Sequence, residues 1–522
     1  MGLTSVDYIV IVVYLAGVAV AGILAAGRQK STSDYFLGGH RIPWWAVLFS
    51  VVATETSTLT FISVPAVAYG GNMTFLQITL GYIAGRITVA LIFLPRYYEG
   101  ELSTAYQFLG KRFGDSMRNI TSSTFMVTRL LADGVRLFAT AIPLAVILRM
   151  GGGFAGLTDL QIYLLSIIAI AGVTMVYTFI GGIKAVVWMD VIQMTVYIGG
   201  ALIAVGIILT HLPNGLRSAL SLAGESGKLE TIRFGFDMSF REFIATPYTF
   251  FTALIGGGIF SVASHGTDQL IVQRLLTTRD LRNSQKALIG SGFVILFQFA
   301  LFLFIGILLY GFYDGQSVAQ LGLTNTDEIF AKFIVEELPI GLSGLIVAAL
   351  FAAAMSSLSS SLNSLASATT LDLYKPYFGK DDSPEKELKI SRFITIIWGL
   401  ILTGAAFLFA VIQLGAEGEQ PAVVELGLSI ASYTYGGLLG AFALGILFKR
   451  PERLDAVVGF FAGLVTLLFL VKGPVQNLLP GEGLAIAWPL YTVVGSLVVV
   501  LVGNASRIIR EQMLKREENI EP

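Results

Sequence analysis

Polar residues in this chain are gathered between long apolar runs, and most runs hold about 20 residues, enough for one helix to cross a hydrocarbon core. The pattern predicts spans near 6–26, 43–71, 73–95, 121–148, 159–180, 186–210, 247–272, 287–313, 339–370, 391–413, 422–448, 455–472 and 485–503, 13 in all. Two of them depart from a plain apolar helix. The second reads "SVVATETSTLTFISVPAVAYGG", with Glu55, a cluster of hydroxyls and Pro65, which predicts an interruption near its middle. The seventh holds "GGGIFSVASHGTDQLIVQRLL", residues 256–276, glycine-rich and polar at its centre. Broken helices five spans apart are the pattern expected of two halves of opposite topology that meet at the bilayer midplane. No residue-level repeat accompanies it.

Composition turns the span pattern into a class. Of 522 residues, 55% are hydrophobic and 13% charged, and the mean hydropathy is +0.76, which identifies a polytopic membrane protein. The net charge of −1 gives no pull toward nucleic acid or an anionic surface. With no cysteine there is no disulfide, thiolate metal site or cysteine nucleophile, and three scattered histidines do not make a metal centre. The run from Val6 to Ala26 has no basic stretch before it and "GRQKSTSDYFLGGHR" after it, so it reads as a first helix rather than a leader. An N-terminus outside and a C-terminus in the cytoplasm place most Lys and Arg inside. That topology leaves residues 211–246 and the amphipathic segment "NTDEIFAKFIVEELPIG" outside. The pieces "RMGGGFAG" and "ALIGGGIF" lack the ending and the setting of a phosphate loop.

Candidate chemistry concentrates in "AAAMSSLSSSLNSLAS", residues 352–367. Ala353, Ser356, Ser357, Ser360, Ser361 and Ser364 fall on one helical face. Small hydroxyl residues there serve either close helix packing or a ligand. Neutral hydroxyls, together with carbonyls freed around residues 53–57, suit a monovalent cation that must also leave again. Arg136 stands well inside the fourth span, where it needs a partner, and Asp133 or Glu55 is available for an internal pair. Asp190 reads either as a helix cap or partner of Lys184, or as a functional carboxylate. Asp268 and Arg274 read as a gating or anchoring pair. His265 reads as a packing residue or a proton relay, and Tyr433 and Tyr435 as a lid or an interfacial belt.

The segments "DYFLGGHRIPWWAVLFSVVATETSTLTFISVPAVAY", "TFIGGIKAVVWMDVIQ", "GTDQLIVQRLL" and "GLIVAALFAAAMSSLSSSLNSLAS" resemble, in order and over nearly the whole chain, motifs of the sodium/solute symporter family, which includes sugar, sialic acid, proline and pantothenate carriers. The resemblance implies an all-α polytopic protein with the LeuT-type five-plus-five inverted repeat and about 13 transmembrane helices in one transporter domain. Its parts would be an extra helix at 6–26, repeats at 43–210 and 247–413, further helices at 422–503 and a cytoplasmic tail at 504–522. It implies a carrier rather than an enzyme, in the cell (inner) membrane. Its partners would be Na+, a small organic solute and the bilayer, without nucleic acid or an obligate protein partner.

The family's first sodium site would fall on the carbonyls of Ala53, Thr56 and Ala353 and the hydroxyls of Ser356 and Ser357. Members resembling the sialic acid carrier carry a second, which would fall on Asp190, Ser356, Ser359 and Ser360. In that carrier an arginine matching Arg136 grips the substrate carboxylate. Ser57 and Thr60 match its substrate hydroxyl positions, while Thr79 stands where it has glutamine. Glu55 matches an acidic residue of proline-type members. Together these imply a carboxylate or zwitterion, such as a sialic acid or an amino acid, carried with one or two sodium ions by alternating access. The aromatic gate of the galactose-type carrier is replaced by Ser264. A sodium/sugar symporter, a proton-coupled or uncoupled carrier, and a sensor on the same fold are the alternatives.

Overall fold

The computed structural model describes residues 3–150, 156–212, 215–323, 325–415, 423–471 and 484–518. Residues 151–155 of the glycine-rich piece, residue 422 at the head of the eleventh expected span, residue 472 at the foot of the twelfth and residues 519–522 of the tail lie outside the described residues. Among the described residues the elements are helices, and the sole β contact is a bridge between Val471 and Leu484.

A first helix, α1 (Ser5–Ala25), is followed by the short α2 (Thr32–Leu37) and then by the second expected span in two pieces, α3 (Trp44–Glu55) and α4 (Thr58–Gly70). The pieces are bent by 61°. The break is at Thr56 and Ser57, both extended, and not at Pro65, which lies inside α4. Hydroxyls explain the position: Thr54 and Thr56 donate to the carbonyls of Ser50 and Val52 at 2.7 and 2.8 Å, and Ser57 with Thr60 forms a capping box that starts a new helix.

Next come α5 (Ile78–Glu99), α6 (Tyr106–Phe113), α7 (Asp115–Met150) and α8 (Asp159–His211). The 53-residue α8 is the fifth and sixth expected spans run together, turned at Gly182, where φ is 53° and ψ −150°. Only glycine takes that conformation readily. A side chain there would also collide with the carbonyl of Tyr35.

Two short helices, α9 (Gly215–Glu225) and α10 (Phe240–Ala245), fill the connection expected outside. The seventh span is broken as its sequence predicts, into a π-turn (Thr252–Gly256), α11 (Gly257–Gly266) and α12 (Gln269–Leu275), with Asp268 extended between the helices. The remaining helices are α13 (Leu281–Phe312), α14 (Glu328–Glu336), α15 (Leu342–Ala368), a second π-turn (Thr369–Tyr374), α16 (Lys375–Tyr377), α17 (Pro384–Gly415), α18 (Val423–Leu447), α19 (Arg453–Leu470) and α20 (Pro489–Glu518). As its pattern predicts, α14 is amphipathic: Ile329, Phe330, Phe333 and Ile334 are buried, and Lys332 pairs with Glu336 on the open side. The segment after Asn504, expected as a tail, continues α20 as helix to Glu518.

Nine helices among the described residues are long and apolar enough to cross a membrane, or ten when α3 and α4 count as one span. One of the nine, the body of α8, is 52 residues long, or about 78 Å at about 1.5 Å per residue, ample for two crossings. α7 and the pieces of the seventh span fall outside that count. At the centre lies α15, buried along nearly its whole length against α1, α7, α8 and α17. Its Ala and Ser residues let these neighbours approach closely, as small residues do where lipid offers no hydrophobic drive.

Candidate functional site

The interruption between α3 and α4 leaves backbone carbonyls without helical partners, and α15 brings its hydroxyls to them. The hydroxyl of Ser357 donates to the Thr56 carbonyl at 3.2 Å. Ala53, Thr56, Ala353, Ser356 and Ser357 are all buried, on the neighbouring helices α3 and α15 and at the break itself. Within this group Ser357 faces the break, whereas Ser356 turns toward Asp190 and donates to its Oδ1 at 2.6 Å. Three carbonyls and two hydroxyls make a neutral oxygen set of the kind a hard monovalent cation takes.

Asp190, eight residues past the turn at Gly182, is fully buried. Ser50 donates to its other oxygen at 2.5 Å, and Arg274 stands 3.5 Å from it. The same guanidinium donates to Ser50 at 2.9 Å, to the Leu270 carbonyl at 2.7 Å and to the Ser360 hydroxyl. Ser359 and Ser360 both donate to the Ser356 carbonyl, at 3.1 and 2.6 Å. Asp190, Ser356, Ser359 and Ser360 are thus gathered, but with Arg274 among them. Two expected pairings are corrected here. Lys184 is not the partner of Asp190, and Arg274 does not pair with Asp268.

Asp268, at the break of the seventh span, instead meets Arg129 at 2.9 Å and accepts from the Tyr435 hydroxyl at 2.6 Å. Arg129 also donates to Tyr435 at 2.5 Å and to Asp133, one turn along α7, at 3.3 Å. Tyr435 is therefore part of a buried polar network rather than of an interfacial belt. Ser361 of α15 donates to the second oxygen of Asp133 at 2.6 Å.

Two turns along α7 from Arg129, Arg136 lines a small cavity of about water size with Asp133, Thr140, Ala354, Ser357 and Ser361. Neither expected acid takes it. Asp133 is held by Arg129 and Ser361, and Glu55 is held by Arg86 of α5 and by His265 of α11, the latter at 2.7 Å. Among the described residues, no hydrogen bond or ion pair engages Arg136. A guanidinium in that position is a ready partner for a carboxylate, which its planar donors grip at both oxygens. Ser57, Thr60 and Thr79 do not line this cavity. Thr60 accepts from the Ser57 amide at 3.3 Å, and Thr79 donates to the Leu76 carbonyl at 2.7 Å.

Sequence reasoning missed Ser50, Arg86 and Arg129. The two arginines carried a usable signal, since an ionisable residue inside an apolar span is costly enough to mark function or pairing.

A model of the sodium:solute symporter family matches residues 35–463. The sodium/sialic acid symporter NanT of Aliivibrio fischeri is 30% identical over 516 residues, covering 98% of this chain and 95% of its own. A solved structure of a Na+-coupled sialic acid symporter, in a substrate-bound outward-open state and described as revealing a novel Na+ site, superposes with a TM-score of 0.81 at 29% identity over 97% of this chain and 98% of its own. MhsT in complex with L-phenylalanine superposes with a TM-score of 0.50 at 16% identity, covering 88% of this chain and 99% of its own; that identity speaks to fold alone, and the fold is the LeuT type. Matched by the family model over most of its length and by a near full-length relative, the chain belongs to the sodium:solute symporter family, a family of sodium-coupled solute carriers.

Proposed function

We propose that this protein carries an organic carboxylate, a sialic acid first among them, into the cell together with sodium across the cell (inner) membrane, N-terminus outside and C-terminus in the cytoplasm. The observation that carries the substrate class is Arg136, a guanidinium on a cavity wall with both neighbouring carboxylates engaged elsewhere. The sialic acid symporters among its relatives support the same choice.

Sodium binds first, held by the carbonyls of Ala53, Thr56 and Ala353 and the hydroxyls of Ser356 and Ser357. In this structure Ser357 already reaches the Thr56 carbonyl, so the ion takes the place of a direct contact between α15 and the break. Its charge fixes the broken helix in the shape that presents Ser57 and Thr60 to the solute. Arg136 then takes the carboxylate; Glu55 and Thr79, which do not line its cavity in this conformation, reach the solute only after the broken helix rearranges. Closure of the outer path and opening of the inner one follow, and low internal sodium and the membrane potential draw the ion off. Each sodium crossing about 100 mV contributes about 2.3 kcal/mol. One sodium per turnover is the stoichiometry this conformation favours. A second, on Asp190, Ser356, Ser359 and Ser360, requires Arg274 to withdraw. The solute leaves chemically unchanged, and neither nucleic acid nor an obligate protein partner takes part.

The test is uptake of labelled N-acetylneuraminate by proteoliposomes under a sodium gradient. Loss of a charge-assisted carboxylate contact costs about 1.5–3 kcal/mol, so Arg136→Ala raises the KM by about tenfold to about a hundredfold. An unchanged KM, or equal competition from a neutral hexose, rejects the carboxylate reading.

A further inference from the structure

The side chains of Glu55, Arg86 and His265 form a triad at the meeting point of the two broken spans, with Arg86 and His265 buried and Glu55 partly exposed. Glu55 ends α3 beside the first break, His265 lies near the end of α11 beside the second, and Arg86 reaches them from α5. Arg86 takes one carboxylate oxygen of Glu55, and His265 Nε2 stands 2.7 Å from the other. Arg86 Nε–H also points at Nε2, at 3.2 Å, but the carboxylate oxygen at 2.7 Å is closer and can only accept, which places a hydrogen on Nε2. The other ring nitrogen, Nδ1, is 3.0 Å from the Ser261 carbonyl and 2.8 Å from the Ser264 hydroxyl. A neutral ring receives the Ser264 hydroxyl at Nδ1. A charged ring donates from Nδ1 to the Ser261 carbonyl while the Ser264 hydroxyl turns to accept. At Nδ1 both protonation states are hydrogen-bonded, and one hydroxyl rotation separates them.

The surrounding charges set these states against each other. The Glu55 carboxylate stands on one side of Nε2, and Arg86 Nε and Nη2 stand 3.2 and 3.1 Å from it on the other. The other titratable groups near the triad are Tyr82 of α5, over whose ring Arg86 lies, Tyr97 of α5, whose hydroxyl donates to the Gly266 carbonyl beside His265, and Arg136 of α7, which Glu55 reaches electrostatically. Further around α11, Tyr435 of α18 stands against Phe260 and is engaged by Asp268 and Arg129, Tyr491 of α20 stands against Tyr433, and Arg274 of α12 is engaged by Asp190. The intervening π-turn, "TALIG", has no titratable residue. Glu55 and Arg86 cancel, so protonating His265 gives the triad a net positive charge, with Arg136 within electrostatic reach of Glu55. Such a charge calls for an anion.

We propose that His265 is a proton-binding site, filled together with the anionic solute. Proton and solute then strengthen each other's binding by the same factor, as linkage requires. The coupling half rests on the reading of the solute as a carboxylate; the proton site itself rests on the triad.

Two measurements test it. First, protein labelled with 15N-histidine is followed by NMR in lipid bilayers with sodium alone. The three histidines give a simple spectrum, and His265→Gln assigns the signal. Nε2 is expected to be protonated throughout, with Nδ1 gaining its proton between about pH 8.5 and about pH 5.5. Ser264→Ala removes the donor to neutral Nδ1 and moves that midpoint to higher pH. A bare Nε2, or a ring that does not titrate in this window, overturns the proposal. Second, calorimetry of N-acetylneuraminate binding is repeated in buffers of different ionisation heat. Proton uptake with solute is expected, with a Kd that weakens severalfold per pH unit, up to the limit of about tenfold for one linked proton, and His265→Gln abolishes both. Binding without proton uptake, or an unchanged pH dependence in His265→Gln, overturns the coupling. If no carboxylate binds at all, the solute reading fails, and the first measurement still decides the proton site.

Discussion

Replacing Asp190 by Asn removes the charge that faces Arg274 and leaves one oxygen, which can accept from Ser50 or from Ser356 but not from both. Both side chains are fully buried and their charges lie 3.5 Å apart. At an effective dielectric constant of about 20, Coulomb's law gives about 5 kcal/mol for that separation. Mutational experience with buried pairs gives about 3–5 kcal/mol when one partner is removed, because the remaining charge has no counterion. The two figures agree, and either is large beside the net stability of about 5–15 kcal/mol that folded proteins hold. Asp190→Asn is therefore expected to unfold well below the parent in a thermal melt of purified protein. The double variant Asp190→Asn with Arg274→Gln is expected to recover most of the loss, since no buried charge is left alone. The coupling is read from the four melting curves as a double-mutant cycle, which isolates the pair from the separate hydrogen bonds to Ser50 and Ser360. If Asp190→Asn is as stable as the parent, or if the two losses simply add, Arg274 is not the counterion of Asp190.

Two further predictions come from other parts of the molecule. A side chain at Gly306 of α13 would meet the carbonyl of Pro65 in α4, so Gly306→Ala is expected to cost about 1–3 kcal/mol and lower folded yield in membranes; unchanged yield and melting temperature contradict this packing. Asp268→Asn frees Arg129 and Tyr435 from the break of the seventh span and is expected to loosen the inner end of the cavity. Because the chain has no native cysteine, Thr140→Cys on the cavity wall can be labelled alone, and an impermeant maleimide should react severalfold faster from the cytoplasmic side in the Asp268→Asn background. Equal rates in the two backgrounds contradict the network's role.

Local chemistry was legible in the sequence, and long-range pairing was not. Hydroxyls at 54, 56 and 57 bond within a turn of themselves, so the cluster "ATETST" announced the first break, although Pro65 drew attention to the wrong place. The serine face of α15 followed from helical period alone, and the whole face is buried. The partners of the buried charges followed from tertiary approach. Asp133 takes Arg129 four residues before it rather than Arg136 three after it, because α15 brings Ser361 to its other oxygen. Asp190 finds Arg274 from another helix in preference to its chain neighbour Lys184, and Glu55 finds His265 some 210 positions away. The break of the seventh span explains two of these choices at once: it places Asp268 toward α7 and α18 while Arg274, on α12, turns toward α3 and α8.

Sodium coupling through the Thr56 break and the serine face is tested most directly in proteoliposomes loaded with potassium and diluted into either sodium or potassium, with uptake of labelled N-acetylneuraminate as the readout. Accumulation is expected only with external sodium, and Ser356→Ala combined with Ser357→Ala removes two of the five oxygens and is expected to weaken the sodium requirement by about a hundredfold or more, at about 1.5 kcal/mol or more for each charge-assisted contact. Accumulation that ignores the sodium gradient, or that keeps its sodium dependence in the double variant, would contradict the assignment of these residues to the ion.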